Sequence, residues 1–249
     1  MNKTILITGA TSGIGKACAE KFATENYNLI LTGRRSDRLL KLKEQLSNNK
    51  ITITTLCFDV RNRDETLNAL TSISNKNIDI LLNNAGLAVG ASPINEGNFD
   101  DWDRMIDTNV KGLLNVSKCI IPLMINQKKG HIINIGSIAG KEVYPNGNVY
   151  CASKHAVDAI SQGMRLDLTK HNIKVTNIAP GLVETEFSNV RFYGDQEKAT
   201  AVYAGLDPLT GKDLSDTIWF CASRPAHVNI ADILILPTAQ ANAVTVLRK

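Results

Sequence analysis

The sequence predicts an α/β fold, a doubly wound parallel sheet of about seven strands in a single domain, and three observations carry that prediction. Short β-branched, apolar runs alternate along the chain with segments whose apolar residues recur at helical spacing. The first of these runs feeds directly into a glycine-rich turn and then a helix. No linker, repeat or low-complexity tract divides the 249 residues, and an apolar content of 43% is enough for one substantial core.

Thr4 to Thr8 is the first strand, the turn runs through Gly9, Ala10, Thr11, Ser12, Gly13, Ile14 and Gly15, and Ala17, Cys18, Phe22 and Ala23 mark the helix that follows. Such a turn aims the helix's free N–H groups and positive dipole end at an anion, and glycines let a pyrophosphate approach the backbone. The spacing is G-x-x-x-G-x-G rather than the common dinucleotide fingerprint, so taken alone it also reads as a tight packing turn. Asn28 to Thr32 is the second strand, followed by Gly33, Arg34 and Arg35 and a helix from about Ser36 to Leu46. In a dinucleotide-binding fold an acid about 20 residues after the glycines favours NAD, whereas arginine suits the additional phosphate of NADP. Two arginines stand here, with no acid before Asp37.

Ile51 to Phe58 is the third strand and ends at Asp59 and Val60, where a carboxylate at the sheet edge is placed to accept from an adenine amino group. Asp79 to Leu82 is the fourth and ends in Asn83, Asn84, Ala85 and Gly86. Ligands of such sheets sit at the carboxyl ends of the strands. Trp102, Met105, Ile106, Val110, Leu113 and Leu114 recur as one long helix that carries Asn109 and is closed by Gly130. An asparagine inside a helix also reads as a tolerated polar residue. His131 to Ser137 is the fifth strand, with Ser137 at its carboxyl end.

From Val149 to about Lys170 runs a helix whose first turns hold Tyr150 and Lys154 one turn apart on one face. A free phenol titrates near ~10, and a cation held beside it stabilises phenolate and brings proton transfer within reach of neutral pH. The same spacing fits a plain helix face with the lysine in water. Ile173 to Ile178 is the sixth strand and Pro180-Gly181 its turn. The polar stretch 183–200, with Phe187, Phe192 and Tyr193 embedded, reads equally as a mobile flap over a site or as a surface helix pair. Leu214 to Phe220 is a last helix, Asp232 to Leu236 a last strand, and Thr238 to Lys249 a tail.

A net charge of +4, without a Lys/Arg block or interleaved aromatic and basic residues, points to small-molecule partners rather than nucleic acid. The five cysteines, Cys18, Cys57, Cys119, Cys151 and Cys221, are dispersed and odd in number, which fits reduced thiols. His131, His155, His171 and His227 have no metal-ligand spacing, and no metal is expected. Met1-Asn2-Lys3 leads straight into a strand without a signal-peptide pattern, and no apolar run reaches the ~18 to 20 residues of a membrane span, so a cytoplasmic location is expected.

Together, Thr8 to Gly15, Asp59-Val60, Asn83 to Gly86, Asn109, Ser137, Tyr150-x-x-x-Lys154 and Pro180-Gly181 resemble the short-chain dehydrogenase/reductase family in order and spacing, across the entire chain. Pro180 to Ser188, Val190-Arg191-Phe192 and Arg224 to Ile230 look like its NADP-dependent 3-hydroxy acid dehydrogenases, a subgroup with enzymes named for serine and L-allo-threonine oxidation. The resemblance implies a Rossmann-type sheet and NADP as cofactor. It implies that Tyr150 exchanges a proton with the substrate's 3-hydroxyl or 3-keto oxygen and that Ser137 hydrogen-bonds that oxygen. Lys154 is implied to lower the Tyr150 pKa and hold the nicotinamide ribose, and Asn109 to position a relay water. Gly9 to Gly15 are implied for the pyrophosphate, Arg34 and Arg35 for the 2′-phosphate, and Asp59 and Val60 for adenine. Asn84, Ala85, Gly86, Pro180, Gly181 and Val183 are implied for the remainder.

One departure is that the glycine turn carries Thr11 and Ser12 where many NADP-using relatives have a basic residue. A short hydroxy or keto acid is the implied substrate, and Arg191 is the expected partner of its carboxylate, although it also reads as a solvated flap charge. A homotetramer is implied, with the tail reaching a neighbour. A broad NADPH-dependent carbonyl reductase stands as the alternative, and a non-catalytic NADPH-binding scaffold as a remote one, since a scaffold is expected to have lost the tyrosine or lysine.

Overall fold

The computed structural model describes residues 2–48, 50–73 and 76–249, so only the expectation touching Met1 lies outside it. Seven parallel strands form one sheet in the order β3-β2-β1-β4-β5-β6-β7: β1 is Thr4–Ile7, β2 Asn28–Gly33, β3 Ile53–Cys57, β4 Ile80–Asn83, β5 Gly130–Ile135, β6 Ile173–Pro180 and β7 Asp232–Ile235. The order reverses direction at β1 and β4, which opens a crevice at their carboxyl ends. Parallel strands need crossovers, and helices supply them: α1 (Gly13–Thr24), α2 (Ser36–Leu46), α3 (Arg63–Thr71), α4 (Phe99–Ile106), α5 (Leu113–Gln127), α6 (Asn148–Leu168), the short α7 (Phe187–Arg191) and α8 (Gln196–Ala201), and α9 (Gly211–Ala222).

Because both faces of the sheet are covered, its central strands are apolar throughout rather than alternating. All of β1 and β4 is buried. One face packs Ile5, Ile7, Leu29 and Leu31 against Phe22 of α1 and Leu214 and Ile218 of α9. The other packs Leu6, Leu81, Ile132 and Val175 against Val116 and Ile120 of α5 and Val157 of α6. Fully burying one such side chain contributes roughly 1.5–3 kcal/mol, so the crevice rests on a stiff base. Buried amides in this base are linked to one another: Asn83 Nδ2 donates to Asn134 Oδ1 (2.9 Å) and Ser117 Oγ (3.0 Å), and Asn134 Nδ2 donates to Ser161 Oγ (2.9 Å).

Three expectations about element ends are corrected. The long helix around Asn109 is interrupted: residues Asp107–Gly112 form a π-helical segment between α4 and α5. Gly130 does not close it; α5 ends at Gln127, capped by Lys128 in the left-handed region (φ 55°), and Gly130 already belongs to β5. The fifth strand stops at Ile135, and Ser137 instead caps a 3-10 turn, Ile138–Gly140, accepting the Ala139 N–H at 3.1 Å.

Candidate active site

A cleft of about 450 Å³ lies over the carboxyl ends of the strands. Its floor begins with the turn after β1, where Gly9 (φ 66°) and Gly13 (φ 52°) adopt conformations that side chains resist. Asn84, just after β4, clamps this turn: its Nδ2 donates to Thr8 O (2.8 Å) and Gly9 O (3.2 Å), while Thr8 Oγ1 accepts from the N–H groups of Asn84 and Ala85 (both 2.9 Å). The N-cap Ser12 makes no side-chain bond to the first turn of α1, which also has no acidic residue. The helix therefore opens onto the cleft with uncapped N–H donors and a positive dipole end, which fits a pyrophosphate.

Arg34 and Arg35 line the same cleft. Arg35 Nε and Nη2 donate to Thr11 Oγ1 (3.2 and 2.8 Å) and Nη2 to Ser12 Oγ (2.9 Å). The cation absent from the glycine turn in the sequence is thus delivered to it from the end of β2. Arg34 lies 3.7 Å from Asp59 and is half exposed. The expected adenine role of Asp59 meets a competitor, since Arg61 donates to both of its carboxylate oxygens at 2.6–3.1 Å. Burial pushes the Asp59 carboxyl up, but those bonds and the two guanidinium charges outweigh it and leave it below its usual range.

Most of the expected residues meet at this cleft: Gly9, Thr11, Ser12, Gly13, Ile14, Arg34, Arg35, Asp59, Val60, Asn84, Ala85, Gly86, Ser137, Tyr150, Lys154, Pro180, Gly181, Val183 and Arg191 all line it. Ala10, Gly15 and Asn109 do not, and each has a physical reason. Ala10 is fully buried and donates its N–H to Thr32 O at 3.0 Å. Gly15 lets α1 approach the turn, since a Cβ there would stand 2.4 Å from Gly9 O and 2.5 Å from Asn84 Nδ2. Asn109 lies behind the wall: its Oδ1 accepts from Leu87 N (2.8 Å), and its Nδ2 donates to Leu87 O (2.8 Å) and Ser153 Oγ (3.0 Å). Both N–H donors of that amide and one acceptor site of its oxygen tie Leu87 to Ser153 of α6.

Tyr150 and Lys154 lie on the first turns of α6, both buried. Lys154 Nζ donates to Ile135 O at 2.8 Å and stands 6.0 Å from the Tyr150 ring centre. Burial lowers the Lys154 ammonium to about 8. Tyr150 is pushed above its ordinary value, first by burial and next by Tyr144, against a hydrogen bond with Ser137 and the Arg191 charge, which act the other way. The expected lowering of Tyr150 is therefore not met in this arrangement: desolvation wins, and the phenol is held protonated.

The roof is made by residues 183–203. Val183 O accepts from Tyr203 OH (2.9 Å), which also meets Ser188 Oγ (2.7 Å). The Arg191 guanidinium stands 5.5 Å from the Tyr144 ring, 5.9 Å from Tyr150 and 5.9 Å from Phe192, and its Nη1 donates to Tyr144 OH at 3.0 Å. Its Nε is buried without a partner among the described residues. The main-chain O of Arg191 accepts from Gly90 N at 2.9 Å, and the Tyr193 hydroxyl donates to Asp101.

Sequence reading missed Tyr144, Tyr203, Gln240 and Ala243 and gave Phe187 no site role, and all five line the cleft. Gln240 Oε1 accepts from Leu182 N at 2.8 Å. The tail folds back on its own chain here, with Lys249 N donating to Gly205 O at 2.8 Å. Phe187, already noted as an aromatic in a polar stretch, was the one legible hint; it stacks edge-on with Tyr150, ring centres 5.7 Å apart.

Among the described residues, no helix is long and apolar enough to cross a membrane. The chain is 44% identical to the NADP-dependent 3-hydroxy acid dehydrogenase YdfG of Salmonella typhi over 242 residues, 96% of each chain. It is 41% identical to sulfoacetaldehyde reductase 2 of Chromohalobacter salexigens over 244 residues, 97% of this chain and 96% of that one. Its fold superposes on a closed form of serine dehydrogenase complexed with NADP+ with a TM-score of 0.92 at 43% identity, covering 99% of both chains. The family model described as short chain dehydrogenase matches residues 3–194. With the glycine turn, the crevice and the tyrosine–lysine pair assembled as described, the chain belongs to the short-chain dehydrogenase family.

Proposed function

We propose that the chain is an NADP(H)-dependent dehydrogenase/reductase that interconverts short 3-hydroxy acids, such as serine, L-allo-threonine and 3-hydroxybutyrate, with their 3-oxo acids. The observation that carries the acid preference is Arg191, a cation beside Tyr150 with one donor, Nε, still unpartnered. A substrate carboxylate bound there satisfies that donor and sets the carbon bearing the hydroxyl or keto group near the phenol.

The residues that would hold the cofactor are the turn Gly9 to Ile14 with the start of α1, Arg34 and Arg35 for the 2′-phosphate, Val60 with Asp59 near adenine, and Asn84 to Gly86 with Pro180 to Val183 for the rest. When bound, NADP(H) gives or accepts the hydride at the substrate's C3. Tyr150, kept protonated by burial, donates its proton to the keto oxygen in reduction. Ser137 supplies a second hydrogen bond to that oxygen. In oxidation Tyr150 must take the proton up, and the Ser137 hydrogen bond and the Arg191 charge are what favour its phenolate. Lys154, fixed by Ile135 O, keeps its charge below about pH 8 and lines the cleft, where it would hold the nicotinamide ribose. The segment 183–200 acts as the flap, Thr238 to Lys249 as the covering tail, and the working form is a homotetramer in the cytoplasm.

The test is a set of initial rates with NADP+ or NAD+ and L-serine, L-allo-threonine, 3-hydroxybutyrate, 3-hydroxypropanoate and a neutral secondary alcohol. Faster turnover of the acids with NADP+ is expected. Turnover of the neutral alcohol alone would instead favour the general carbonyl reductase, and nucleotide binding without any turnover the scaffold.

A further inference from the structure

The roof and the nucleotide side of the cleft are joined by one residue with no role so far. Glu186 caps α7, the helix that ends in Arg191, yet its side chain makes no bond to that helix. It reaches the opposite rim instead. Arg35 Nη1 donates to Glu186 Oε2 at 3.0 Å, and Arg38 Nη1 donates to Oε1 at 2.7 Å. Burial pushes the Glu186 carboxyl up, but the hydrogen bonds and charges of the two arginines outweigh this and hold it below its usual range, so it is ionised at neutral pH.

Arg35 has no idle edge in this arrangement. Its Nε and Nη2 are spent on Thr11 and Ser12, and its Nη1 on Glu186. A phosphate monoester that grips Arg35 through a bidentate edge must displace one of these partners. The two hydroxyls are neutral and can turn to donate to the phosphate, whereas Glu186 is an anion and can only compete. Resting on the reading of Arg35 as a 2′-phosphate ligand, we infer that Glu186 is an internal counter-anion for the nucleotide's 2′-phosphate, a specificity-determining residue that occupies the phosphate's guanidinium partner and weakens the enzyme's preference for the phosphorylated cofactor. Because binding effects are reciprocal, phosphate that draws Arg35 away also loosens the hold of Glu186 on the segment leading to Arg191.

The same residue therefore sets two things: how strongly NADP(H) is preferred over NAD(H), and how firmly α7 is tied to the nucleotide rim. NAD(H) lacks the competing group and leaves the Glu186 pairing in place.

The test is equilibrium binding of NADP+ and NAD+ to the full chain and to Glu186→Gln, which keeps the size of the side chain and removes its charge. The Kd for NADP+ is expected to fall about three- to tenfold, the effect of one partly exposed ion-pair competitor, with the Kd for NAD+ unchanged and the gain shrinking as salt is raised. Glu184→Gln, the same charge change on an exposed side chain that does not line the cleft, is expected to alter neither. An unchanged or weaker NADP+ affinity in Glu186→Gln overturns the inference, and so does equal tightening of both nucleotides. A parent chain that binds NADP+ no better than NAD+ contradicts the cofactor reading itself, so the two failures are told apart.

Discussion

The floor and the roof of the cleft are built on opposite principles. The floor, from Thr8 to Gly15 with Asn84 to Gly86, presents main-chain groups: glycines at positive φ, a helix start, and carbonyl oxygens read by Asn84, with the Thr8 hydroxyl and Arg35 bracing the turn. The roof, from Val183 to Tyr203, is held by side chains that reach across long stretches of sequence: Glu186 to Arg35 and Arg38, Arg191 to Tyr144, Tyr193 to Asp101. A main-chain cradle suits what every turnover shares, the nucleotide. Side-chain ties to a short helix suit what selects the substrate, because they can be exchanged without disturbing the sheet.

That contrast can be broken at several points. The largest effect is expected where floor and roof meet: Tyr150→Phe should cut kcat about 10²- to 10⁴-fold while cofactor affinity holds, measured by steady-state rates and nucleotide titration. Gly15→Ala comes next. Its Cβ would press on Gly9 O and Asn84 Nδ2, so a loss of about 1–3 kcal/mol in unfolding free energy together with weakened cofactor binding is expected; a variant as stable as the parent would show the floor to be softer than described. On the roof, Tyr144→Phe frees Arg191 Nη1 and should raise KM for acid substrates about three- to tenfold with thermal stability nearly unchanged.

A further effect lies away from both surfaces and touches stability at low pH rather than the cleft's chemistry. His131, buried and bonded through Nε2 to Thr176 Oγ1 at 2.7 Å, is lowered to about 3 by burial and, secondarily, by the Lys174 charge. The unfolded chain takes up a proton near the ordinary 6.5 that the folded chain refuses until about 3, so stability is lost as pH falls through that window. Denaturant titrations across that range should fall less steeply in His131→Gln.

The same contrast explains what could be read from the sequence. Gly9, Gly13, Asn84, Tyr150 and Lys154 were legible because turns and helix faces fix their geometry over short spans. The π-helical segment at Asn109 was not, because apolar spacing there fits an ordinary helix and the amide's partners, Leu87 and Ser153, lie far away in the chain. Neither were Tyr144 and Gln240, whose placement depends on contacts with Arg191 and Leu182 far away in the chain. The direction of the Tyr150 pKa escaped for a related reason: the Tyr-x-x-x-Lys spacing announces a cation but not the depth of burial that pushes the phenol up.

The central claim is that Arg191 beside Tyr150 makes the cleft selective for acids. Its most direct test is the ratio of kcat/KM for 3-hydroxybutyrate to that for a neutral secondary alcohol of equal length, in the parent chain and in Arg191→Ala. The ratio is expected to fall about ten- to hundredfold, the worth of a charge-assisted hydrogen bond, while the neutral alcohol loses only the smaller share that the Arg191 charge contributes to the Tyr150 phenolate. A ratio that stays the same, or equal losses on both substrates, would contradict it.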